Sequence, residues 1–292
     1  SSCGGMMGML HSEQTRRRAG SFYQAGSMGF GALSAWVLIR ESSRVAPATL
    51  GLIAAAMIGI PALFGLLVPK QEVLATGTFE ETMGRVWAEA KATFFRWDAL
   101  PYVACMLFPM SSGAAIALIP GVANQYGVNG DNVAWMNGLL GGLLMAAGAA
   151  VMTLVVTRMR VTVLYMVVAL INCAAVSILW LGPMNKSTYF TGTVLYLFTT
   201  GCCYAVFTAV LLEFMGASGK SGSMRYSIIN SMGNVPVLYM LRVDGWGGDH
   251  FGGRGVAGAE CVVGGIGAVI LLTWFLIHKP KRTTIPPLEI AA

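Results

Sequence analysis

The sequence predicts an all-α, multi-pass membrane protein, a helical bundle of eight spans. Three observations predict this class. Apolar residues make up 55% of the 292 residues, charged residues make up only 11%, and apolar runs of about 20 residues recur along the chain. A soluble domain carries about 25% charged residues. Runs of this length suit helices that cross a bilayer and are too long for the strands of a membrane barrel.

The eight predicted spans are separated by polar connections. Their predicted bounds are 22–39, 46–68, 98–120, 133–157, 161–181, 189–214, 224–241 and 256–277. Between the second and third spans, apolar side chains such as Met83 and Trp87 recur at helical spacing within residues 70–97, opposite a run of acidic residues. This pattern predicts an amphipathic helix on the membrane surface or on the bundle. Residues 279–292 are predicted to form a polar tail.

The basic residues predict which side of the membrane each connection faces. Eight spans place both ends of the chain on one side, and that side carries fourteen Lys and Arg residues against five on the other, together the 19 of the chain. The five are Arg40, Arg44, Lys186, Arg242 and Arg254. Because cytoplasmic loops are enriched in basic residues, we expect both ends in the cytoplasm and the protein in the cell (inner) membrane.

The stretch from Met224 to Gly255 carries the most information about function. Ser227, Asn230 and Asn234 share one face of its helix, and Pro236 interrupts the hydrogen bonds of the same helix. An amide within a span faces protein or a water-filled path, so both asparagines are candidates for substrate binding or, equally, for bonds between helices. This helix is expected to end in a loop rich in Gly, Asp and Trp.

Two other spans carry polar groups that suit a substrate site. In the third span, Pro109 frees a backbone carbonyl, and the hydroxyls of Ser111 and Ser112 follow directly. Broken helices of this kind mark transporter sites, and a simple proline kink is the alternative. In the sixth span, Thr200 and Tyr204 share a face. The alternative there is that the hydroxyls bond back to their own helix.

Glu260 is predicted to lie inside the last span, with no obvious partner nearby in sequence. An intramembrane carboxylate is a functional candidate, so we consider proton coupling and structural pairing as equal alternatives. Asp98 and Glu213 lie close to span ends, where interfacial placement explains them.

Several function classes are not expected. The histidines lie at or outside the span ends and no cysteines form a C-x-x-C pair, so neither a metal site nor a cofactor is predicted. The spans show no H-x-x-x-H, G-x-S-x-G or paired-carboxylate pattern, which disfavours an enzyme. The net charge of +6 is interpreted loop by loop, and no nucleic-acid partner is expected.

Two stretches resemble a known family of transporters. Residues 4–36 resemble the loop and fifth helix of the peptide/acetyl-coenzyme A transporter branch of the major facilitator superfamily, which includes muropeptide permeases and siderophore importers. The matching residues are Arg18, Ala19, Gly20, Gln24, Ala25 and Gly26. Residues 224–255 resemble its eleventh helix and the following loop through Asn234, Asp244, Gly245, Trp246, Gly252 and Gly255. Residues 156–160 lack the Gly and Asp usual in the basic loop motif of the superfamily.

The resemblance implies a specific domain organisation. Residues 1–69 would end the first transporter half, 70–97 would form the cytoplasmic linker, 98–278 the complete six-helix second half and 279–292 a cytoplasmic tail. The chain would then comprise helices five to twelve of a twelve-helix fold, as an N-terminally truncated fragment of a protein that is monomeric when complete.

The resemblance also implies a function. The chain would belong to a secondary active transporter, expected to be proton-coupled, for a small polar solute such as a peptidoglycan fragment, a siderophore or a drug-like molecule. The substrate site would include Ser111, Ser112, Thr200, Tyr204, Asn230 and Asn234, with Glu260 in proton coupling. A non-transporting membrane receptor or scaffold is the alternative, and a membrane-embedded enzyme is a less favoured one.

Overall fold

A computed structural model describes residues 6–8, 10, 12–41, 44–63, 78–95, 97–215 and 222–278. In these ranges the chain is helical and contains no strand, which confirms the all-α class. The α-helices are α1 (Glu13–Glu41), α2 (Pro47–Leu63), α3 (Phe79–Phe94), α4 (Leu100–Leu107), α5 (Ala115–Leu118), α6 (Gly130–Trp135), α7 (Gly141–Val155), α8 (Val161–Leu181), α9 (Lys186–Met215), α10 (Gly222–Met232) and α11 (Val235–His278). Short 3-10 segments precede α4 and follow α5 (Trp97–Ala99 and Ile119–Tyr126), and a π-helical turn, Met136–Leu140, joins α6 to α7.

Four helical stretches of the described chain are long and apolar enough to cross a membrane. They are Gly130–Val155, Val161–Leu181, Lys186–Met215 and Arg225–Ile277. The helix Pro47–Leu63 is apolar but shorter. These helices agree with the predicted transmembrane class, whereas the count of eight spans stays a prediction. The end predicted for the second span, the start of the 70–97 linker and the tail at 279–292 lie outside the described residues.

The bundle is organised around α9, which packs against α1, α7 and α8, while α8 also packs against α11. Glycines permit this close packing. A Cβ atom added to Gly148 of α7 would lie 2.0 Å from the Phe198 carbonyl oxygen of α9, and one on Gly142 would lie 2.1 Å from Ala32 Cβ of α1. Both glycines therefore allow a neighbouring helix to approach closely.

The third predicted span is broken and not merely kinked. α4 ends at Leu107, and regular helix resumes only at Ala115. In the break, the backbone N–H of Ala114 donates to the Ser112 hydroxyl oxygen at 3.1 Å, so a side chain replaces a lost helical bond. Gly113 has a φ of 72°, and a Cβ there would lie 2.1 Å from the Tyr204 hydroxyl oxygen. The break therefore needs glycine at this position.

α11 is folded back on itself at Gly252, whose φ of 64° and ψ of −151° interrupt the helix. The result is a first arm, residues 235–251, and a second arm, residues 253–278. A Cβ on Gly247 would lie 2.5 Å from the Gly255 carbonyl oxygen and 3.1 Å from Ala259 Cβ. Contacts between residues this far apart in sequence require antiparallel arms.

The prediction of a loop rich in Gly, Asp and Trp after the seventh span is therefore wrong. Asp244 and Trp246 belong to the helical first arm, and Asp244 is fully buried. The composition of this stretch predicts a loop, yet Gly247 and Gly255 form the contact surface between the two arms. A glycine that allows a close approach gives the same local signal as one that opens a turn.

A different set of polar contacts lies at each end of the bundle. At the end that holds the Gly252 turn, the Gly253 N–H donates to Gln125 Oε1 at 2.6 Å and Arg254 donates to the Gly182 carbonyl oxygen at 2.9 Å. At the opposite end, Arg17 bridges Glu13 and Glu213. The Gly252 turn therefore lies at one end of the bundle and the Arg17 ion pairs lie at the other, and the side of the membrane that each end faces stays a prediction.

The amphipathic helix predicted within residues 70–97 is present as α3. Thr78 and Glu81 form a reciprocal capping box at its start. Met83 and Trp87 are exposed, and the Phe94 ring packs 6.3 Å from the Phe214 ring of α9. This ring contact joins the end of α3 to the bundle. The exposed apolar side chains of α3 suit a membrane surface.

Candidate functional site

A cavity of about 450 Å³ lies beside the break in the third predicted span. It forms where α1, α4, α8, α9 and α10 meet the start of α11. Its polar lining comprises Gln24, Ser27, Ser111, Ser112, Tyr165, Tyr204, Asn230 and Asn234, and its apolar lining includes Met28, Met106, Phe108, Met110, Phe207 and Val237. Within the described part of the chain, no Asp, Glu, Lys or Arg lines this cavity.

The structure brings five of the six predicted substrate residues to this cavity. Ser111, Ser112, Tyr204, Asn230 and Asn234 all line it. They come from three separate parts of the sequence, and only the packing of the helices makes them neighbours. Asn234 also donates to the Asn230 carbonyl oxygen, at 3.4 Å.

Thr200 does not line the cavity. Its hydroxyl donates to the Tyr196 carbonyl oxygen of its own helix at 2.7 Å and accepts from Asn172 Nδ2 at 3.0 Å. Thr200 is fully buried. Thr200 thus follows the alternative prediction, in which the hydroxyl bonds back to its own helix. The side chain packs between α8 and α9.

Two tyrosine hydroxyls hold the broken segment against the bundle. Tyr165 donates to the Met110 carbonyl oxygen at 3.2 Å, and Tyr204 donates to the Ser112 carbonyl oxygen at 3.1 Å. These carbonyls have lost their helical partners at the break. Sequence reasoning missed Tyr165, although a phenol inside an apolar span was a visible signal.

Gln24 is a second cavity residue that the predicted site did not include. Its Nε2 atom donates to the Thr208 hydroxyl at 2.7 Å, which joins α1 to α9 beside the cavity. The available signal was an amide within the first predicted span.

Glu260 is buried directly behind the cavity wall, with 2% of its surface exposed. The Ser112 hydroxyl lies 3.2 Å from one carboxylate oxygen and 3.1 Å from the other, and the Tyr196 hydroxyl donates at 3.0 Å. The backbone of Gly113 also hydrogen-bonds this carboxylate. Ser112 therefore contacts both the cavity and Glu260.

Asp244 lies against Glu260, and the two side chains are within hydrogen-bonding reach. Asp244 is fully buried, and neither of its oxygens receives a hydrogen bond from another described side chain or backbone group. Carboxylates only accept hydrogen bonds, so a bond between these two groups needs a proton on one of them. The structure thus contains a buried carboxyl pair where the sequence showed no paired pattern.

The pair arises because each carboxyl lies eight residues from Gly252, on either side of the turn. The antiparallel arms then place Asp244 opposite Glu260. This equal spacing about a glycine was a signal in the sequence, but it has meaning only once the glycine is known to be the turn. No group of three or more His, Cys, Asp or Glu residues in the described ranges is arranged to hold a metal ion.

No protein-family model matches this chain, and comparison with curated proteins finds no match. The geometry of the cavity and of the carboxyl pair behind it therefore carries the functional inference.

Proposed function

We propose that this chain forms part of a major facilitator-type secondary transporter that couples proton movement to the movement of a small polar solute. One observation carries the proposal: a polar cavity at a broken helix is joined, through the Ser112 hydroxyl, to a buried carboxyl pair. Transporter sites are commonly built at such helix breaks, and buried carboxyl groups in membrane helices serve as proton relays.

The cavity lining favours a solute that is bound through neutral hydrogen-bonding groups. Amide and hydroxyl groups of the lining, such as Gln24, Asn234 and Tyr204, can donate and accept hydrogen bonds. The intervening Met and Phe side chains suit the apolar faces of a sugar or a peptide. The volume of about 450 Å³ falls in the range of small-molecule sites, in keeping with a fragment of a larger peptidoglycan unit or a drug-sized molecule.

Ser112 supplies the proposed coupling between solute and proton. Its hydroxyl donates to Glu260. A solute acceptor in the cavity competes for that hydroxyl, and Glu260 then loses one of the bonds that stabilise its negative charge. The carboxyl pair therefore holds its proton more tightly when solute is bound. By linkage, the bound proton strengthens solute binding by the same factor.

The proposal includes eight spans with both ends of the chain in the cytoplasm. The spans are α1, α2, the broken segment from α4 to residue 126, α6 with α7, α8, α9, α10 with the first arm of α11, and the second arm. The polar contacts at the two ends of the bundle support this order. In this arrangement the basic-rich connections face the cytoplasm of a cell-membrane protein.

The test uses the natural protein that contains these 292 residues, purified into proteoliposomes that enclose a pH-sensitive dye. Solutes are added from a panel of anhydro-disaccharides, short muropeptides and siderophores. We expect at least one of them to drive proton movement that an ionophore abolishes. If every member of the panel binds without moving protons, proton coupling is excluded. If none binds, the cavity assignment is excluded.

A further inference from the structure

We infer that Asp244, and not Glu260, is the residue that carries the proton of the buried pair, while Glu260 stays ionised as its acceptor. This inference deepens the proposed function and rests on it for its meaning in transport. The protonation itself can be measured without any transport.

The first line of argument is the direction of the hydrogen bonds around Glu260. The Ser112 hydroxyl, the Tyr196 hydroxyl and the Gly113 backbone all bond its carboxylate. Donors that converge on one carboxyl group favour its ionised form, because a carboxylate accepts at every lone pair. A proton placed on Glu260 would oppose these donors.

The second line of argument is the lack of donors around Asp244. Both of its oxygens are buried, and no described side chain or backbone group other than Glu260 faces them within hydrogen-bonding reach. An ionised Asp244 would be a buried charge without a partner, which proteins avoid. A protonated Asp244 instead donates to Glu260, and its buried proton gains an ionised acceptor.

The neighbouring groups leave this division of charge unchanged. Glu260 is flanked by phenols and thiols, which are neutral at ordinary pH, and no described Lys or Arg lies among the groups that act on the pair. These neighbours are Tyr196, Tyr204, Cys173, Cys203 and Cys261. Without a cation, two ionised carboxylates at this distance would repel each other, so one proton remains on the pair.

Asp244 also lies on the arm whose start lines the cavity. Pro236 and Val237 of the first arm are cavity residues, whereas Glu260 belongs to the second arm. A shift of one arm against the other about Gly252 would separate Asp244 from its acceptor. The hairpin therefore gives Asp244 a route to release its proton that leaves the donors of Glu260 in place.

The test is infrared difference spectroscopy on the purified protein in lipid vesicles near neutral pH. A protonated carboxyl group gives a C=O stretching band that shifts in D₂O. In the unmutated protein, ¹³C on the side-chain carboxyl of aspartate should move this band to lower frequency, and ¹³C on that of glutamate should leave it unmoved. The reverse pattern, or the absence of any band, overturns the assignment. Because no residue is changed, misfolding cannot obscure this measurement.

Substitutions provide the second measurement. Asp244→Asn should abolish the band, and the fold should persist because the new amide still donates to Glu260. Glu260→Gln should retain a band from Asp244, and Glu213→Gln, at the far end of α9, should leave the band unchanged. Survival of the band in Asp244→Asn, or its loss in Glu260→Gln, contradicts the inference. A protein that passes this test but moves no solute would refute the proposed function and leave the assignment of the proton standing.

Discussion

The Ser112 hydroxyl contacts both carboxylate oxygens of Glu260, at 3.1 and 3.2 Å, while the same residue lines the cavity. This contact places one side chain between a site that can hold a solute and a group that can respond to a proton. Removing the hydroxyl therefore affects both sites at once.

We predict that Ser112→Ala lowers solute affinity by roughly ten- to a hundredfold, because a buried hydrogen bond lost from such a site typically contributes about 1–3 kcal/mol. The substitution should also weaken the pH dependence of binding, because Glu260 loses a donor that the solute would otherwise remove. Ser177→Ala is the matched control, since Ser177 only bonds back to Ala174 of its own helix. Equal affinities for the two variants across the pH range would contradict this role of Ser112.

Asn234→Leu should lower solute affinity by a similar factor without changing the response to pH. Asn234 lines the cavity, but its described bond is to Asn230 and not to the carboxyl pair. Binding isotherms at two pH values separate this effect from that of Ser112→Ala. If Asn234→Leu retains wild-type affinity, the asparagine face serves packing and not the solute.

Gly113→Ala should destabilise the protein by about 1–3 kcal/mol. The φ of 72° at Gly113 disfavours any side chain, and the new Cβ would lie 2.1 Å from the Tyr204 hydroxyl oxygen. Gly121→Ala provides the control, because a Cβ at Gly121 meets no atom within 4 Å. Thermal unfolding in detergent measures both variants, and an unchanged midpoint for Gly113→Ala would show that the break tolerates a side chain.

Gly252→Ala should lower the unfolding temperature and weaken the carboxyl band. Its φ of 64° and ψ of −151° belong to a region that is essentially confined to glycine, so the turn that pairs Asp244 with Glu260 would be strained. Gly245→Ala, in the open part of the first arm, should have neither effect. Loss of stability without any change in the band would mean that the carboxyl pair does not depend on the turn.

The orientation can be tested with single cysteines in a background stripped of native cysteines. Asn129 and Arg158 are both exposed and lie in connections on opposite sides of the predicted bundle. In intact cells, a membrane-impermeant thiol reagent should label Asn129→Cys and should reach Arg158→Cys only after the membrane is opened. Labelling of Arg158→Cys in intact cells would refute the predicted sides.

Several elements could be predicted from the sequence because their signals are local. The predicted spans 133–157, 161–181 and 189–214 correspond to Gly130–Val155, Val161–Leu181 and Lys186–Met215. Their apolar length is a property of consecutive residues and needs no partner to be recognised. The break at Pro109 was likewise visible, since a proline removes a helical bond in any surroundings.

Tertiary structure alone decided the arrangement of the site. The sequence indicated polar residues that could line a cavity. Thr200 is instead held in the helix packing by Asn172 of a neighbouring helix, which only the fold shows. The sequence also suggested Glu260, but not its partner, because Asp244 appeared to lie in a glycine-rich loop. A glycine can open a turn or allow two helices to touch, and consecutive residues do not distinguish these uses. Only the fold shows that the chain turns at Gly252 and that Gly247 packs against the opposite arm. The pairing of Asp244 with Glu260 follows from that distinction.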